Sequence, residues 1–358
     1  KLSDTIAKSL CFYYKNHGFQ TSIGQRIGLY SDRDIYTIVA ILGILKAGCS
    51  YVPLDKAHPV KRINFMLNDC KASLVLQNTK DIPTFDIPAI LSLQELLKQE
   101  VEIQLPPFDA TTEVYLIYTS GTTGVPKGVP ILHRNLLNLI YGKKNILAES
   151  ESTIETCYSN IAFDGSVWEI FPSLLNGGTL YMITEEERHS PDLLLKVLAK
   201  YGISQALIPP AMLAVLPYTH LPQLKFLTIA GESTSPEVIK LWQQTATVIN
   251  AYGPTENTVC ATACILEKDS PFNDIGTPLS GVSCYVLDEN DQLLPEGIVG
   301  ELYIGGLQLT EGYINHQEQN DEKFIDNPFV TPEEIKSGIN TRLYKSGDLV
   351  KRMPNGHL

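Results

Sequence analysis

The chain has 358 residues, 44% hydrophobic and 19% charged, with a formal net charge of −12. This is the composition of a globular protein with a sizeable core, and its negative charge argues against nucleic acid as a partner, since the phosphates would repel it. No apolar run approaches the ~20 residues of a membrane span, and the opening Lys1-Leu-Ser-Asp-Thr5 has no apolar signal region, so no membrane association is expected. The seven cysteines are scattered and odd in number, with no Cys-x-x-Cys, and Cys260 and Cys264 have no histidine at ligand spacing beside them. Buried free thiols in a reducing, cytoplasmic compartment are the expectation, with no metal held by cysteine.

In chain order, residues 3–17 put Ile6, Leu10 and Tyr13 or Tyr14 at helical spacing, with Ser3 as N-cap and Gly18 as stop. Residues 26–30 read as a strand. Ser31 is then expected to cap a longer helix with Asp32 and Asp34 in its first turn, ended by Gly48. Pro59 opens a helix reaching to about Asn68, and residues 73–76 are a strand. Residues 78–112, rich in proline and acidic groups, form a loosely patterned crossing to a buried strand at 115–118. A helix follows Asp164, and a strand covers 179–183. Ser190-Pro191 opens a helix that Gly202 closes. Strands follow at 206–208, 226–230 and 247–251, with Ser235-Pro236 as another cap and first-turn proline. The alternation predicts right-handed βαβ units and mostly parallel sheets. From about residue 270 the strands at 283–287, 298–304 and 349–353 have no clear helix between them, and Asn355-Gly356 signals a hairpin. The expected fold class is α/β: two doubly wound, mostly parallel sheet subdomains, at 1–110 and 111–268, and a small antiparallel barrel-like subdomain at 269–358.

The densest chemistry lies in Tyr118-Thr-Ser-Gly-Thr-Thr-Gly-Val-Pro-Lys-Gly128. Glycines let backbone N–H groups converge on an anion, hydroxyls add neutral donors, and Lys127 supplies a point charge, which is equipment for a polyphosphate. The spacing is not that of the common P-loop. Three other features read as structural. His133 is structural and not a general base, Glu185-Glu186-Glu187 is a solvated loop, and Gly177-Gly178 stops a helix.

This segment resembles the phosphate loop of the adenylate-forming superfamily, which includes acyl-CoA synthetases, luciferases and the adenylation domains of nonribosomal peptide synthetases. Further stretches match in the family's order: Leu45-Lys-Ala-Gly-Cys-Ser-Tyr-Val-Pro-Leu-Asp55, Phe163-Asp-Gly-Ser-Val-Trp-Glu169, Asn250-Ala-Tyr-Gly-Pro-Thr-Glu256, Gly300-Glu-Leu-Tyr-Ile-Gly-Gly306 and Leu343-Tyr-Lys-Ser-Gly-Asp348. Phe163–Glu169 and Asn250–Glu256 are typical of the amino-acid-activating branch, and the matches run along most of the chain.

The resemblance implies attack of an amino-acid carboxylate on the α-phosphate of ATP, yielding aminoacyl-AMP and pyrophosphate, followed by transfer to the phosphopantetheine thiol of a carrier domain. Carrier and condensation domains of the same synthetase are the implied partners, with a small accessory protein a further one. Thr119, Ser120, Gly121, Thr122, Thr123, Gly124 and Lys127 would cradle phosphates. Glu256 would hold Mg2+, which needs few protein ligands, and Thr255 would bond the α-phosphate. Asn250, Ala251, Tyr252 and Gly253 would meet adenine from one side and Gly231, Glu232 and Ser233 from the other. Asp348 would accept from the ribose hydroxyls. Where the family usually has threonine, this chain has Ser346.

Asp164 is the candidate partner for a substrate ammonium, which needs an opposite charge in an apolar pocket. It could equally N-cap the helix carrying Trp168, or do both. By position in the family, Phe163 precedes a pocket lined by Gly165, Trp168, Leu207, Thr228, Ala230, Ala251, Val259 and Cys260. The lining is similar to that of phenylalanine-activating domains at Asp164, Trp168, Ala230, Ala251 and Cys260, and departs from it at Gly165, Leu207, Thr228 and Val259. A bulky, Phe-like side chain is expected, with leucine, tyrosine and tryptophan behind. The match covers the large N-terminal core of an adenylation domain. The family's first motif, its hinge, its small C-terminal subdomain and that subdomain's lysine lie outside the match, so binding with poor turnover is expected. The alternatives are a free-standing acyl- or aryl-acid ligase and a non-catalytic nucleotide-binding module.

Overall fold

The structure, a computed structural model, describes residues 1–120 and 124–358. The chain divides into two compact units, one of Lys1–Leu136, Asn160–Phe163 and Thr310–Gln317, the other of Leu137–Ser159, Asp164–Leu309 and Glu318–Leu358.

The first unit is built on a six-stranded sheet. Its order across the sheet is Ile90–Ser92, Leu74–Asn78, Arg26–Ser31, Ser50–Pro53, Glu113–Ser120 and Pro126–Leu132. The first five strands run parallel, and the last returns antiparallel from the fifth. Arg26 and Glu113 staple three of them. The guanidinium donates to both carboxylate oxygens at 2.8 and 2.6 Å, and the Ser50 hydroxyl donates to the same carboxylate at 2.6 Å. Gly28 lets the helix Val60–Asp69 lie close on the sheet, because a Cβ there would come 2.8 Å from a Leu67 methyl.

Two expected caps move. The helix Ile35–Lys46 starts at Asp34, whose side chain accepts from the Thr37 N–H at 3.1 Å. Ser31 instead ends its strand, with its hydroxyl on that of Thr37 at 2.6 Å. The helix Leu2–Asn16 has Lys1 at its N-cap, so Ser3 lies inside the helix, where its hydroxyl accepts from the Lys46 ammonium at 3.0 Å.

The second unit holds a seven-stranded sheet in the order Thr277–Pro278, Thr262–Ile265, Thr247–Tyr252, Phe226–Ala230, Gln205–Leu207, Ile154–Cys157 and Thr179–Met182. The last five are parallel, and the first two antiparallel. Ser190 and Ser235 cap their helices as expected. Leu194, Val197, Leu198, Leu227, Ile229, Trp242 and Val248 lie in the core beside this sheet. The expected antiparallel addition is a four-stranded sheet in the order Val282–Leu287, Val299–Gly306, Arg342–Lys351 and Phe324–Asp326.

Helices not expected from the sequence are present as well. Pro332–Ser337 and Glu185–His189 are short helices, and Thr331 with Glu334, and Thr184 with Glu187, close reciprocal capping boxes at their starts. The acidic triplet at 185–187 is therefore a helical turn, with its charges at the favourable end of the dipole. The chain reverses at 354–356, where the Met353 N–H donates to the His357 carbonyl at 2.7 Å, and Leu358 bonds in both directions with the backbone of Ile275 and Gly276 at 3.0 and 2.9 Å. The cysteines are all free and buried. Among the described residues no helix is long and apolar enough to cross a membrane.

A buried ion cluster lies behind the helix Gly165–Leu175. Lys143 is fully buried, and its ammonium donates to Glu155 at 2.6 and 2.8 Å and to the Trp168 carbonyl at 2.7 Å. It also lies 3.0 Å from a Glu149 oxygen, in an alignment that makes no hydrogen bond. Burial pushes the Glu155 carboxyl up to about 8, with the Lys143 charge opposing. Removing one member of such a group strands the others without counter-charge. Lys143→Met should therefore destabilise the chain by about 3–5 kcal/mol in denaturant unfolding, and a change below about 1 kcal/mol would show that the cluster is solvated.

Candidate functional site

In the second unit a cleft of about 420 Å³ opens at the carboxyl ends of the parallel strands. It is lined by Gly231, Glu232, Ser233, Asn250, Ala251, Tyr252, Gly253 and Asp348, which are the residues singled out for adenine and ribose, together with Ile229, Thr234, Pro254, Phe272, Asn273 and Ile275. A larger open groove of about 1300 Å³ lies at the amino ends, by Lys225 and Thr247. Ligands in open α/β sheets collect at the carboxyl ends, and the smaller cleft is the one holding the chemistry-bearing residues.

Asp348 reaches this cleft through an irregularity. Across the antiparallel pair, Glu301 faces Leu349 while Tyr303 faces Lys345, so Ser346, Gly347 and Asp348 bulge from the strand. Gly347 takes φ +82°, which a side chain would resist. The bulge is pinned at both sides. The Ser346 hydroxyl donates to the Leu302 carbonyl at 2.7 Å and accepts from the Asp348 N–H at 3.1 Å. The Tyr252 phenol then donates to the Asp348 carboxylate at 2.5 Å, and burial with that carboxylate pushes the phenol well above its ordinary range. The residues at 272–275 were missed by sequence reasoning. They act on the site through Asp274, whose backbone carbonyl accepts from Asn250 Nδ2 at 2.8 Å, so that Asn250 is oriented with its amide nitrogen already used.

Asp164 stands at the start of the helix Gly165–Leu175, with Trp168 one turn along on the same side. It makes no capping bond through its side chain. Burial pushes its carboxyl up to about 6. A hydrogen bond with Thr255 works against that shift, and the charge of Glu256 adds to it. Cys260 is the fourth member of the group. Burial raises its thiol to about 12, and Asp164 is one of the charges contributing.

On the sheet, Thr228 is paired with Leu207 and Ala230 with Ala251, and Thr228 and Ala230 are two apart, so all four share one face. Trp168 is 1% exposed, and Thr228, Leu207, Ala251 and Cys260 are also buried. A Cβ on Gly165 would lie 3.0 Å from the Ser159 hydroxyl, so its small size serves close packing there. Phe163 falls in the first unit and is 62% exposed.

Glu256 lies in the short 3-10 turn Thr255–Asn257, 7% exposed. Its carboxylate is a hard oxygen donor of the kind magnesium takes, and its charge is already felt by Asp164, so a cation fits the chemistry there. The next two residues, Thr258 and Val259, have φ of +48° and +72°. The left-handed region costs a residue other than glycine about 1–3 kcal/mol, and most for a β-branched one.

In the first unit, the candidate phosphate loop connects the antiparallel strands Glu113–Ser120 and Pro126–Leu132. Gly121, Thr122 and Thr123 lie outside the described residues. Gly124 has φ +80°, and Thr119 pairs with Lys127 across the strands. Lys127 is 7% exposed, with its ammonium 4.5 Å from the centre of the Tyr313 ring. His133 stacks on Phe108 at 5.0 Å, and burial lowers its pKa, in keeping with a structural role. One metal-capable group appears among the described residues: Cys264, Asp274 and His357, within 4.8 Å of one another. Folding thus brings to Cys264 a histidine that local spacing did not show. The group is internally paired, with His357 Nδ1 on the Asp274 carboxylate at 2.9 and 3.1 Å and the Cys264 thiol donating to the Asp274 carbonyl at 3.2 Å.

A fold of this kind recurs among known structures. A four-domain nonribosomal peptide synthetase solved bound to AMP and glycine superposes with a TM-score of 0.85 at 28% identity, over 100% of this chain and 26% of that one. The N-terminal subdomain of Klebsiella oxytoca NpsA shares the fold with a TM-score of 0.83 at 23% identity, over 99% of this chain and 90% of that one. Bacitracin synthase 3 of Bacillus licheniformis is 38% identical over 339 residues, which is 93% of this chain and 5% of the synthase. The chain thus spans a small part of such synthases. The two parallel sheets with an appended antiparallel sheet are those of an adenylate-forming core. A family model for AMP-binding enzymes matches residues 17–314, and the chain belongs to that family of adenylate-forming ligases.

The Asp164 shift has a consequence for stability. Its folded-state carboxyl sits above its ordinary 3.8, so this group favours the folded chain fully below about pH 4 and loses that contribution as pH rises through about 6. Asp164→Asn should raise the melting temperature by about a few degrees at pH 8 and by much less at pH 4, read by calorimetry. Equal shifts at both values would show that the carboxyl is not perturbed.

Proposed function

We propose that this chain is the ATP- and amino-acid-binding core of a nonribosomal peptide synthetase adenylation domain, activating a bulky hydrophobic, Phe-like amino acid. The observation that carries this reading is the Asp164 carboxylate at the start of the helix carrying Trp168, with Thr255 as a hydrogen-bond partner and Glu256 as the neighbouring charge. A substrate ammonium is the charge that such a carboxylate lacks.

The chemistry follows from the groups assigned. The amino-acid carboxylate is ionised at neutral pH and needs no base, so its oxygen attacks the α-phosphorus of ATP directly. The new C–O–P bond forms as the bond from the α-phosphorus to the bridging oxygen breaks, and pyrophosphate leaves with the electron pair. Asp164 would orient the ammonium, Thr255 would donate to the α-phosphate once that ammonium takes over its bond to Asp164, Lys127 and the hydroxyls of Thr119 and Ser120 would meet the outer phosphates, and Asp348 would accept from the ribose. Glu256 would hold magnesium, which supplies positive charge against the departing oxygens when bound. The aminoacyl group would pass to the phosphopantetheine thiol of a carrier domain in the same synthetase, with AMP as the leaving group.

Selectivity for a large side chain is supported by the shared face of Leu207, Thr228, Ala230 and Ala251. Thr228 carries the hydroxyl among these four residues, and it favours tyrosine as the second reading. Amino-acid-dependent pyrophosphate exchange in the intact synthetase tests the proposal, with phenylalanine expected to give the strongest signal. Asp164→Ala should weaken amino-acid activation by about 2–5 kcal/mol, as loss of a buried ion-pair partner does. Exchange with fatty or aryl acids but with no amino acid, undisturbed by Asp164→Ala, would replace this reading with that of a carboxylic-acid ligase.

A further inference from the structure

We propose that Gln308 is the positioning residue for Glu256, clasping the strained turn that presents this carboxylate to a metal-bound triphosphate. The inference rests on the reading of Glu256 as the magnesium ligand and adds a residue that no motif marks.

The turn after Glu256 is unfavourable by itself. Thr258 and Val259 are both left-handed, and Asn257 is fully buried with neither polar atom of its side-chain amide partnered among the described residues. Backbone strain of this kind persists only where surrounding contacts over-determine it.

Gln308, which is 0% exposed and follows the strand Val299–Gly306, provides those contacts. Its side-chain nitrogen donates to the carbonyls of Asn257 at 3.2 Å and Cys260 at 2.6 Å, bracketing the two left-handed residues. Its own carbonyl accepts from the Thr258 hydroxyl at 2.6 Å. Its side-chain oxygen is held in turn by Asn138 Nδ2 at 2.8 Å, and the same nitrogen reaches the Ser280 carbonyl at 2.7 Å.

The network fixes which end of each amide is nitrogen, because carbonyls face one end of Gln308 and a donor faces the other. A glutamate there would keep the Asn138 contact but could donate to neither carbonyl. A leucine would fill the space and do neither. The geometry thus separates the clasp from mere packing. With the clasp gone, the turn can relax toward ordinary dihedrals, and Glu256, one residue before Asn257, moves with it.

The test uses the whole chain with Gln308→Leu and Gln308→Glu. Leu198→Ala, in the core of the same unit away from the site, serves as a control that lowers stability without touching the turn. ATP binding is measured by calorimetry with and without magnesium, and backbone hydrogen exchange is followed over residues 255–260. Both Gln308 variants should lose about tenfold of the affinity gained from magnesium while metal-free ATP affinity stays within about twofold. Exchange at 255–260 should accelerate by about tenfold, and the control should show neither change. A magnesium-dependent gain that survives in Gln308→Leu, or exchange no faster than in the control, overturns the proposal. If wild-type ATP affinity ignored magnesium, the reading of Glu256 would fail by itself, and the exchange rates would still decide whether Gln308 holds the turn.

Discussion

A carboxylate placed where water solvates it poorly is the constraint on which the site depends. Asp164 is pushed toward neutrality by burial, and the Thr255 hydrogen bond offsets only part of that effect. Glu256, carrying the same sign, makes the deficit larger. Buried Ala251 and Cys260 cannot relieve it, because neither supplies a cation. A pocket arranged in this way has strong electrostatic demand and little shape information of its own. On the proposed reading, shape would come from the regular strands whose register places Leu207, Thr228, Ala230 and Ala251 on one face.

Regular structure brings side chains near the cleft, and irregular structure aims them. The bulge at Ser346–Asp348 turns one acidic side chain of a long edge-to-edge strand toward Tyr252, with Gly347 absorbing the backbone change. The left-handed pair after Glu256 does the same for a 3-10 turn. Both irregularities interrupt otherwise ordinary hydrogen-bond patterns, and both adjoin residues with chemistry assigned to them. Such placement is what is expected where strain is tolerated for function.

Much of the fold was legible because its signals are local. The strand at 226–230 has the bounds that its β-branched run implied, and the Ser-Pro pairs at 190 and 235 open helices. Ser3 and Ser31 are hydroxyls near helix starts that do not cap, because Ser3 lies inside its helix, Ser31 is committed to its strand and Asp34 is the stronger acceptor. The short helices at 185 and 332 carried Thr-x-x-Glu signatures that could have been found. What no local pattern could reveal is the tertiary pairing. Asp274 orients Asn250 from 24 positions away, and His357 joins Asp274 across 83. Lys143 sits beside Lys144 in a helix where both look like solvent-facing lysines, yet it is wholly enclosed.

That enclosed lysine limits how the pocket can be retuned. Its ammonium lies 5.0 Å from the centre of the Trp168 ring and is bonded to that residue's own carbonyl, so the tryptophan is tied through both ring and backbone to the charged group of Lys143, Glu155 and Glu149. If the proposed pocket holds, trimming this tryptophan would bring a ligand toward that charged group instead of toward bare hydrocarbon. On the proposed reading, a change of selectivity at position 168 therefore requires rebuilding the layer beneath it as well.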